Sequence, residues 1–292
     1  MSKITVRTPA TSANLGPGFD CLGIALDIWA TVTVDTSRTS RGAQHGATRL
    51  VQQGLQAAFA GVAETPDCAI EWDNAIPVAR GLGASASLRA AGLLAGNALL
   101  DGVHDAEALL ALGTKLEGFP DNMSPTLFGG FQVNVRGEKG LIHLKAPLPP
   151  DLRVVVFVPD FEMPTQEGRR LIAKRPITRE DAVFNVGRAA LLVSALAAGR
   201  YDLLDEATQD RLHQPVRSEI FKGLAPIMAA AKEGGAAASY LSGGGSTVAA
   251  FVRQGAGEER VARLMTQAAL AHGFSGRSMI TAPTDEGAHL LS

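Results

Sequence analysis

The sequence predicts an α+β protein of two domains, and three observations carry that expectation. The chain has 292 residues, near the length at which one hydrophobic core stops growing and a second begins. A proline-rich stretch, KAPLPPDL, falls at mid-chain, where missing donors and fixed φ angles make a stiff linker. Beyond it the elements run strand, helices, strand, strand, helix, strand, which is the split βαβ order. The expected domains are residues 1–148 and 149–292.

In chain order, KITVRTPA opens as a short strand that Pro9 ends, and ATVTVD alternates with period two, placing Val32 and Val34 on one face. Residues 43–60 carry Leu50, Val51, Leu55 and Ala58 at helical spacing. CAIEWDN reads as a strand broken at Pro77, and the small and apolar residues of 83–100 suit a buried helix. A second helix is expected over 105–117, and LFGGFQVNV and LIHL read as strands. After the linker, LRVVVFV is a continuous β-branched run, hence a strand buried on both faces. Helices follow at 165–173, 178–198 and 217–233. AASYL, GGGS and TVAAFV read as strand, turn and strand, and a helix at 256–272 precedes a final strand, GRSMITA.

Composition narrows the function classes. Hydrophobic residues make up 46% of the chain, ordinary for a globular protein. Lys and Arg total 27 against 29 acidic residues, so there is no basic excess to hold a phosphate polymer, and no nucleic-acid partner is expected. The cysteines, Cys21 and Cys68, are too few for a disulfide framework and point to a reducing compartment. The start carries no apolar leader, and the longest apolar run, AALLVSALAAG, is too short to span a bilayer. No membrane partner and a cytoplasmic location are the expectations.

Four stretches carry chemistry. PVARGLGASAS puts glycines at 81 and 83 just before a small-residue helix. Either that helix lies against another backbone, or an anion sits on its first turn, where N–H groups lack internal partners and the dipole is positive. No Lys-Ser/Thr pair follows, so the loop is not of the Walker A kind. TPATSANLGPGFDCLGIALD is dense in turn formers and carries Asn14 and Asp20, suited either to an elaborate loop or to orienting a small ligand. KLEGFPDNMSPTLFGG sets Glu117 and Asp121 four apart, followed by Asn122. It reads equally as a helix end with a proline turn, or as carboxylates placed for Mg²⁺ and for a hydroxyl proton. YLSGGGSTVAAF is explained by a plain hairpin, or by backbone passing close to a ligand.

Taken together and in order, these stretches resemble the GHMP small-molecule kinases. PVARGLGASAS resembles their Pro-x-x-x-Gly-Leu-Gly-Ser-Ser-Ala loop, and LSGGGST their late glycine motif. PATSANLGPGFDCLGIALD is similar to the N-terminal signature of the homoserine kinases among them, and EGFPDNMSPTLFGG to their Glu-Gly-His-Pro-Asp-Asn stretch. PTQEGRR resembles their Thr-x-x-x-Arg element, and HQPVR a downstream arginine element.

The resemblance implies a two-domain GHMP kinase fold, with an N-terminal domain like ribosomal protein S5 domain 2 and a ferredoxin-like C-terminal domain. It implies ATP and Mg²⁺ as cofactors and L-homoserine as the small-molecule substrate, phosphorylated on its side-chain hydroxyl on the route to threonine. A homodimer is carried as an expectation. By the same resemblance, Pro77, Val78, Ala79, Arg80, Gly81, Leu82, Gly83, Ala84, Ser85, Ala86 and Ser87 hold the nucleotide phosphates, and Ser85 and Glu117 are the metal ligands. Asn14, Asp20, Asn122, Thr165, Arg169, Arg217 and Gly244 surround the substrate, with the two arginines on its carboxylate and Asp121 orienting the hydroxyl.

Three positions depart from the family pattern: Ala84 replaces the loop's first serine, Phe119 a histidine beside the acceptor, and Ser246 a frequent proline. Phe119 leaves open a related kinase for another small hydroxy acid or amino alcohol. A nucleotide-binding protein without catalysis is the third reading, against which Ser85, Glu117 and Asp121 argue.

Overall fold

The structure is a computed structural model, and it describes residues 3–39, 46–138 and 140–291. Its first sheet is antiparallel, ordered β10-β1-β2-β4-β5 with β3 also on β2. The strands are β1 (Lys3–Ala13), β2 (Leu22–Asp35), β3 (Ala69–Asn74), β4 (Phe131–Gly137), β5 (Gly140–Ala146) and β10 (His289–Leu291). The second sheet is ordered β7-β8-β6-β9, from β6 (Leu152–Pro159), β7 (Ala238–Leu241), β8 (Val248–Arg253) and β9 (Gly276–Thr281). That order, with its paired helices, is the split βαβ arrangement expected for the second half.

Two long helices cover one face of the first sheet. α1 (Ala47–Phe59) and α2 (Ala84–Leu99) pack Val51, Leu55, Leu88 and Ala91 against Ile4, Val6, Val32 and Val34. Their crossing is tight because it is built on glycine: a Cβ on Gly54 would lie 2.1 Å from the Arg89 carbonyl oxygen, and one on Gly92 2.0 Å from that of Val51. The small-residue character of α2 therefore has a packing cause.

The opposite face of the first sheet shares a core with the second. Leu22, Ile24, Leu26 and Phe131 meet Val154, Val156, Tyr240 and Phe251, together with Leu192 and Leu196 of α6 (Arg179–Ala197). Residues 155 and 157 of β6 point the other way, into α9 (Leu224–Gly234) and α10 (Glu258–Ala271). Burial on both faces explains the unbroken β-branched run.

The structure differs from the sequence expectations in several places. β1 does not end at Pro9; it continues to Ala13 across a register shift between Pro9 and Ala10. On its other side β10 covers only Thr5 to Arg7, so proline's missing donor falls on an unpaired edge. β2 starts at Leu22, eight residues before ATVTVD, and so shortens the loop after β1. The segment after α3 (Ala106–Glu117) is not a proline turn but a helix, α4 (Pro120–Phe128), which takes in the first residues of LFGGFQVNV. Pro120 occupies its first turn, where no donor is needed. The helix expected over 217–233 is broken by residues 221–223 into α8 (Gln214–Ile220) and α9. A short 3₁₀ turn at Tyr201–Leu203 with α7 (Leu204–Ala207), and β10, had no sequence signal. Residues 43–45 of the first expected helix lie outside the described residues.

Candidate active site

The loop before α2 is fixed by its carbonyls. The Leu82 oxygen accepts from the Thr11 amide at 3.1 Å, the Gly81 oxygen from the Ser242 hydroxyl at 2.6 Å, and the Arg80 oxygen from the Thr247 amide at 2.9 Å. β1 and the loop between β7 and β8 thus hold the turn from two sides. Gly81 (φ 80°) and Gly83 (φ 68°) make the left-handed bends, and a Cβ on Gly81 would lie 2.3 Å from the Ser242 oxygen. With the carbonyls engaged, the amides face outward. Among the described residues none of the N–H groups from Gly81 to Ala86 has a hydrogen-bond acceptor. They form a cradle for an anion at the positive end of α2.

The side chains of this stretch divide. Leu82, Ala84 and Ala86 are buried in the core, so only their backbones can serve a ligand. Ser87 is fully buried and bonded to the Thr8 hydroxyl at 2.7 Å, so its hydroxyl is committed to β1. Arg80 turns away toward β6, donating to the carbonyls of Pro159 and Asp160. Val78 is exposed; Pro77 and Ala79 shape the approach, Ala79 with a positive φ of 56°.

Ser85 faces the C-terminal end of α3. Its hydroxyl donates to Glu117 Oε1 at 2.6 Å and accepts from Arg89 Nη1 at 2.9 Å, while the same Nη1 meets Glu117 Oε1 at 2.5 Å. Arg89 is missing from the sequence reading. Its signal is its place one turn beyond Ser85, on the same helix face. Among the described residues there is no cluster of three metal-ligating side chains. A hydroxyl and one carboxylate fit Mg²⁺ that draws its remaining ligands from phosphate oxygens and water.

Beside the cradle lies a second polar group. Asp121, in the first turn of α4, is buried, and its Oδ1 accepts from the Asn122 amide at 3.0 Å. Burial, then the nearby Asp20 carboxylate, push its pKa up to about 7, against the pull of the Arg169 guanidinium. Asn122 is held by the Thr11 hydroxyl at 2.8 Å. Pro125 cannot donate to the Asp121 carbonyl, and that oxygen lies where a Cβ on Gly23 would be, 1.7 Å away. A proline in α4 and a glycine in β2 together let the helix seat against the strand.

Asp20 and Arg169 form a two-point ion pair at 2.8 and 3.2 Å, with Arg169 on α5 (Thr165–Lys174). Arg169 also lies over the Phe119 ring at 3.8 Å, so the aromatic face supports a cation. Arg217 is fully buried; Nη1 donates to the Gly243 carbonyl at 3.1 Å and to His213 Nδ1 at 2.6 Å, while Nε has no partner. Burial, then the charge of Arg169, lower the Arg217 pKa to about 10, which leaves it a cation. His213 sets the direction of this pair: Nε2 meets the Gly16 carbonyl at 2.7 Å and carries the proton, so Nδ1 accepts from Arg217. Burial holds the His213 pKa below the ordinary histidine value, so the ring is neutral near pH 7.

The other sequence-predicted residues fall around this group. Asn14 takes a positive φ of 68°, donates to the Gly243 carbonyl at 2.8 Å, and accepts from the Asp20 amide at 3.0 Å. Its side chain builds the loop that presents Asp20. Gly244 sits in the turn between β7 and β8, next to the Gly243 carbonyl that both Asn14 and Arg217 use. Thr165 opens α5, but its side chain lies outside the described residues. Cys21 borders the site, its thiol pKa pushed up to about 11 by burial and by Asp121 and Asp20.

This arrangement combines an open amide cradle, a hydroxyl–carboxylate pair at its edge, a buried carboxylate, and two guanidinium groups close enough to affect one another. Comparison with known proteins agrees with it. The model of the GHMP kinases N terminal domain matches residues 46–130, and that of the GHMP kinases C terminal domain residues 192–270. The chain is 36% identical to a homoserine kinase of Desulfitobacterium hafniense over 99% of its own length and 100% of that protein's. It is 38% identical to one of Moorella thermoacetica, covering 98% and 99%. The crystal structure of a homoserine kinase from Cytophaga hutchinsonii superposes with a TM-score of 0.87 at 25% identity, covering 100% of this chain and 98% of that one. The mevalonate kinase of L. major shares the fold, at a TM-score of 0.71 and 14% identity. The α+β architecture is the two-domain GHMP kinase fold, and the chain belongs to the homoserine kinase family.

Proposed function

We propose that the protein transfers the γ-phosphoryl group of ATP to the side-chain hydroxyl of L-homoserine, giving O-phospho-L-homoserine for the route to threonine. The observation that carries this reading is Asp121, a buried carboxylate with a pKa near 7, beside the Arg169 guanidinium and an amide cradle without protein acceptors. The cradle from Gly81 to Ala86 receives the phosphates. Arg169 and Arg217 receive the substrate carboxylate, for which the guanidinium fork is a two-point match. Asp20 stands beside Arg169 as the counterpart of the substrate ammonium. Asp121 orients the acceptor hydroxyl first and takes its proton second; phosphoryl transfer asks the protein mainly for positioning and charge neutralisation. Ser85 and Glu117 would hold Mg²⁺, which neutralises phosphate charge when bound.

A coupled assay for ADP release tests this reading. The expected result is turnover that needs both Mg²⁺ and L-homoserine and is much lower with hydroxy acids lacking the amine. Folded protein with no homoserine-stimulated ADP release would overturn it. We also propose that the linker at 147–150 marks the domain boundary. Free Cys21 and Cys68 support a cytoplasmic setting, and the exposed Val135, Ile142 and Leu144 on the β4–β5 hairpin support a homodimer. Among the described residues no helix is long and apolar enough to cross a membrane.

A further inference from the structure

We propose that Arg89 is a resident counter-cation that makes metal binding at Ser85 and Glu117 conditional on bound nucleotide. The proposal rests on the reading of those two residues as the Mg²⁺ site and adds to it a control supplied by this chain.

The guanidinium is fixed in place. Its Nε and Nη2 donate to Gln53 Oε1 at 3.0 and 2.9 Å, and Gln53 is beside Gly54, where α1 touches the Arg89 backbone. That anchor aims Nη1 at Ser85 Oγ and Glu117 Oε1, so one donor spans both oxygens expected to face the cation. The Arg89 and Glu117 side chains are only 17% and 16% exposed, so solvent screens the pair weakly. The Ser85 hydroxyl and Glu117 Oε1 are thus both already met by a positive charge, and among the described residues no three metal-ligating side chains cluster here.

Two opposed effects follow. Arg89 orders the hydroxyl and the carboxylate, which favours a cation; its own charge a few Å away repels one. In a partly buried site the charge effect outweighs the ordering of two short side chains. A divalent cation arriving alone finds Glu117 already neutralised. A di- or triphosphate seated on the Gly81 to Ala86 amides brings the negative charge that offsets Arg89, and the cation then enters with it. Metal and nucleotide bind with positive coupling, and Arg89, by weakening the binding of the metal alone, adds to the coupling that shared phosphate oxygens supply.

Free Mn²⁺, counted by electron paramagnetic resonance in titrations of the full chain with and without ADP, tests this directly. Wild type is expected to hold Mn²⁺ at least about tenfold more tightly with ADP than without. Arg89→Gln should tighten binding of Mn²⁺ alone by about tenfold or more, while Arg89→Lys, which keeps the charge, should retain the wild-type pattern. Gln53→Glu retains Arg89 and adds a negative charge at its anchor; it should also tighten binding of Mn²⁺ alone, and it serves if Arg89→Gln fails to fold. Unchanged or weaker binding of Mn²⁺ alone in Arg89→Gln or Gln53→Glu, or Arg89→Lys behaving as Arg89→Gln does, overturns the proposal. Glu117→Gln separates the two readings: if it binds Mn²⁺ with ADP as wild type does, the metal site itself is wrong and the proposal falls with it.

Discussion

Asp121 combines a functional and a thermodynamic signature. Its pKa stands near 7 in the folded chain against about 3.9 for a free aspartate, so the native state holds a proton the unfolded state has released across that interval. Stability therefore falls as pH rises from about 4 to about 7. Asp121→Asn removes this contribution. Its melting temperature should match wild type near pH 4 and exceed it at pH 8, by an amount reflecting a few kcal/mol; equal curves across that range would refute the burial argument. Activity should move the other way. kcat should drop about 10²-fold or more in Asp121→Asn, and kcat/KM of wild type should rise with pH through the region of 7. Arg217→Ala and Arg169→Ala should raise the KM for homoserine by about 10²-fold, a charged hydrogen-bonded pair being worth ~1.5–3 kcal/mol, with the KM for ATP little changed.

At this scale the site was partly legible. Glu117, Asp121, Asn122, Arg169 and Arg217 sit in short motifs with fixed spacing, and the structure gathers them. Ser87 and Arg80 share the phosphate-loop motif yet turn to other partners, because a string of residues does not state which way each side chain leaves the backbone. Gln53, Thr11 and His213 are visible only once helices and strands are placed side by side, whereas Arg89 could have been read from its place one turn beyond Ser85.

Among the elements, those with a clear period or β-branched run were found with bounds close to the structure, as with α2, α6, α10 and β6. α4 was not. Two prolines in PDNMSPTLF read as breakers, whereas the first sits at a helix start and the second releases a carbonyl into the space of Gly23. The close contacts between elements give their own expectation. Gly54→Ala and Gly92→Ala each place a methyl at about 2 Å from a backbone oxygen of the facing helix, forcing α1 and α2 apart at a cost of about 1–3 kcal/mol. Chemical denaturation should show lower midpoints for both, and Gly54→Ala should also disturb the Gln53 contact with Arg89. Wild-type midpoints would contradict the glycine-built crossing.

Across the whole molecule, the split into two sheets was legible from the linker and the order of elements, but their joining was not. One core cluster takes residues from both sheets. After β9 the chain runs back along β2, where Asp27 donates to the Ala282 carbonyl and Thr284 to that of Ala25, before β10 pairs with β1. A three-residue strand has too little pattern to be seen in sequence. The shared core predicts a single unfolding transition, with calorimetric and van't Hoff enthalpies equal; two resolved transitions would show that the halves melt separately.

The return of β10 to β1 also bears on how the protein is made. A ribosome releases β1 before every other strand of the two sheets and β10 after them, so the nascent sheet carries an open Thr5-to-Arg7 border until His289–Leu291 have emerged. Closing that border has to wait for His289–Leu291, and any chain stalled before they emerge carries an unfinished seam that invites pairing with its neighbours.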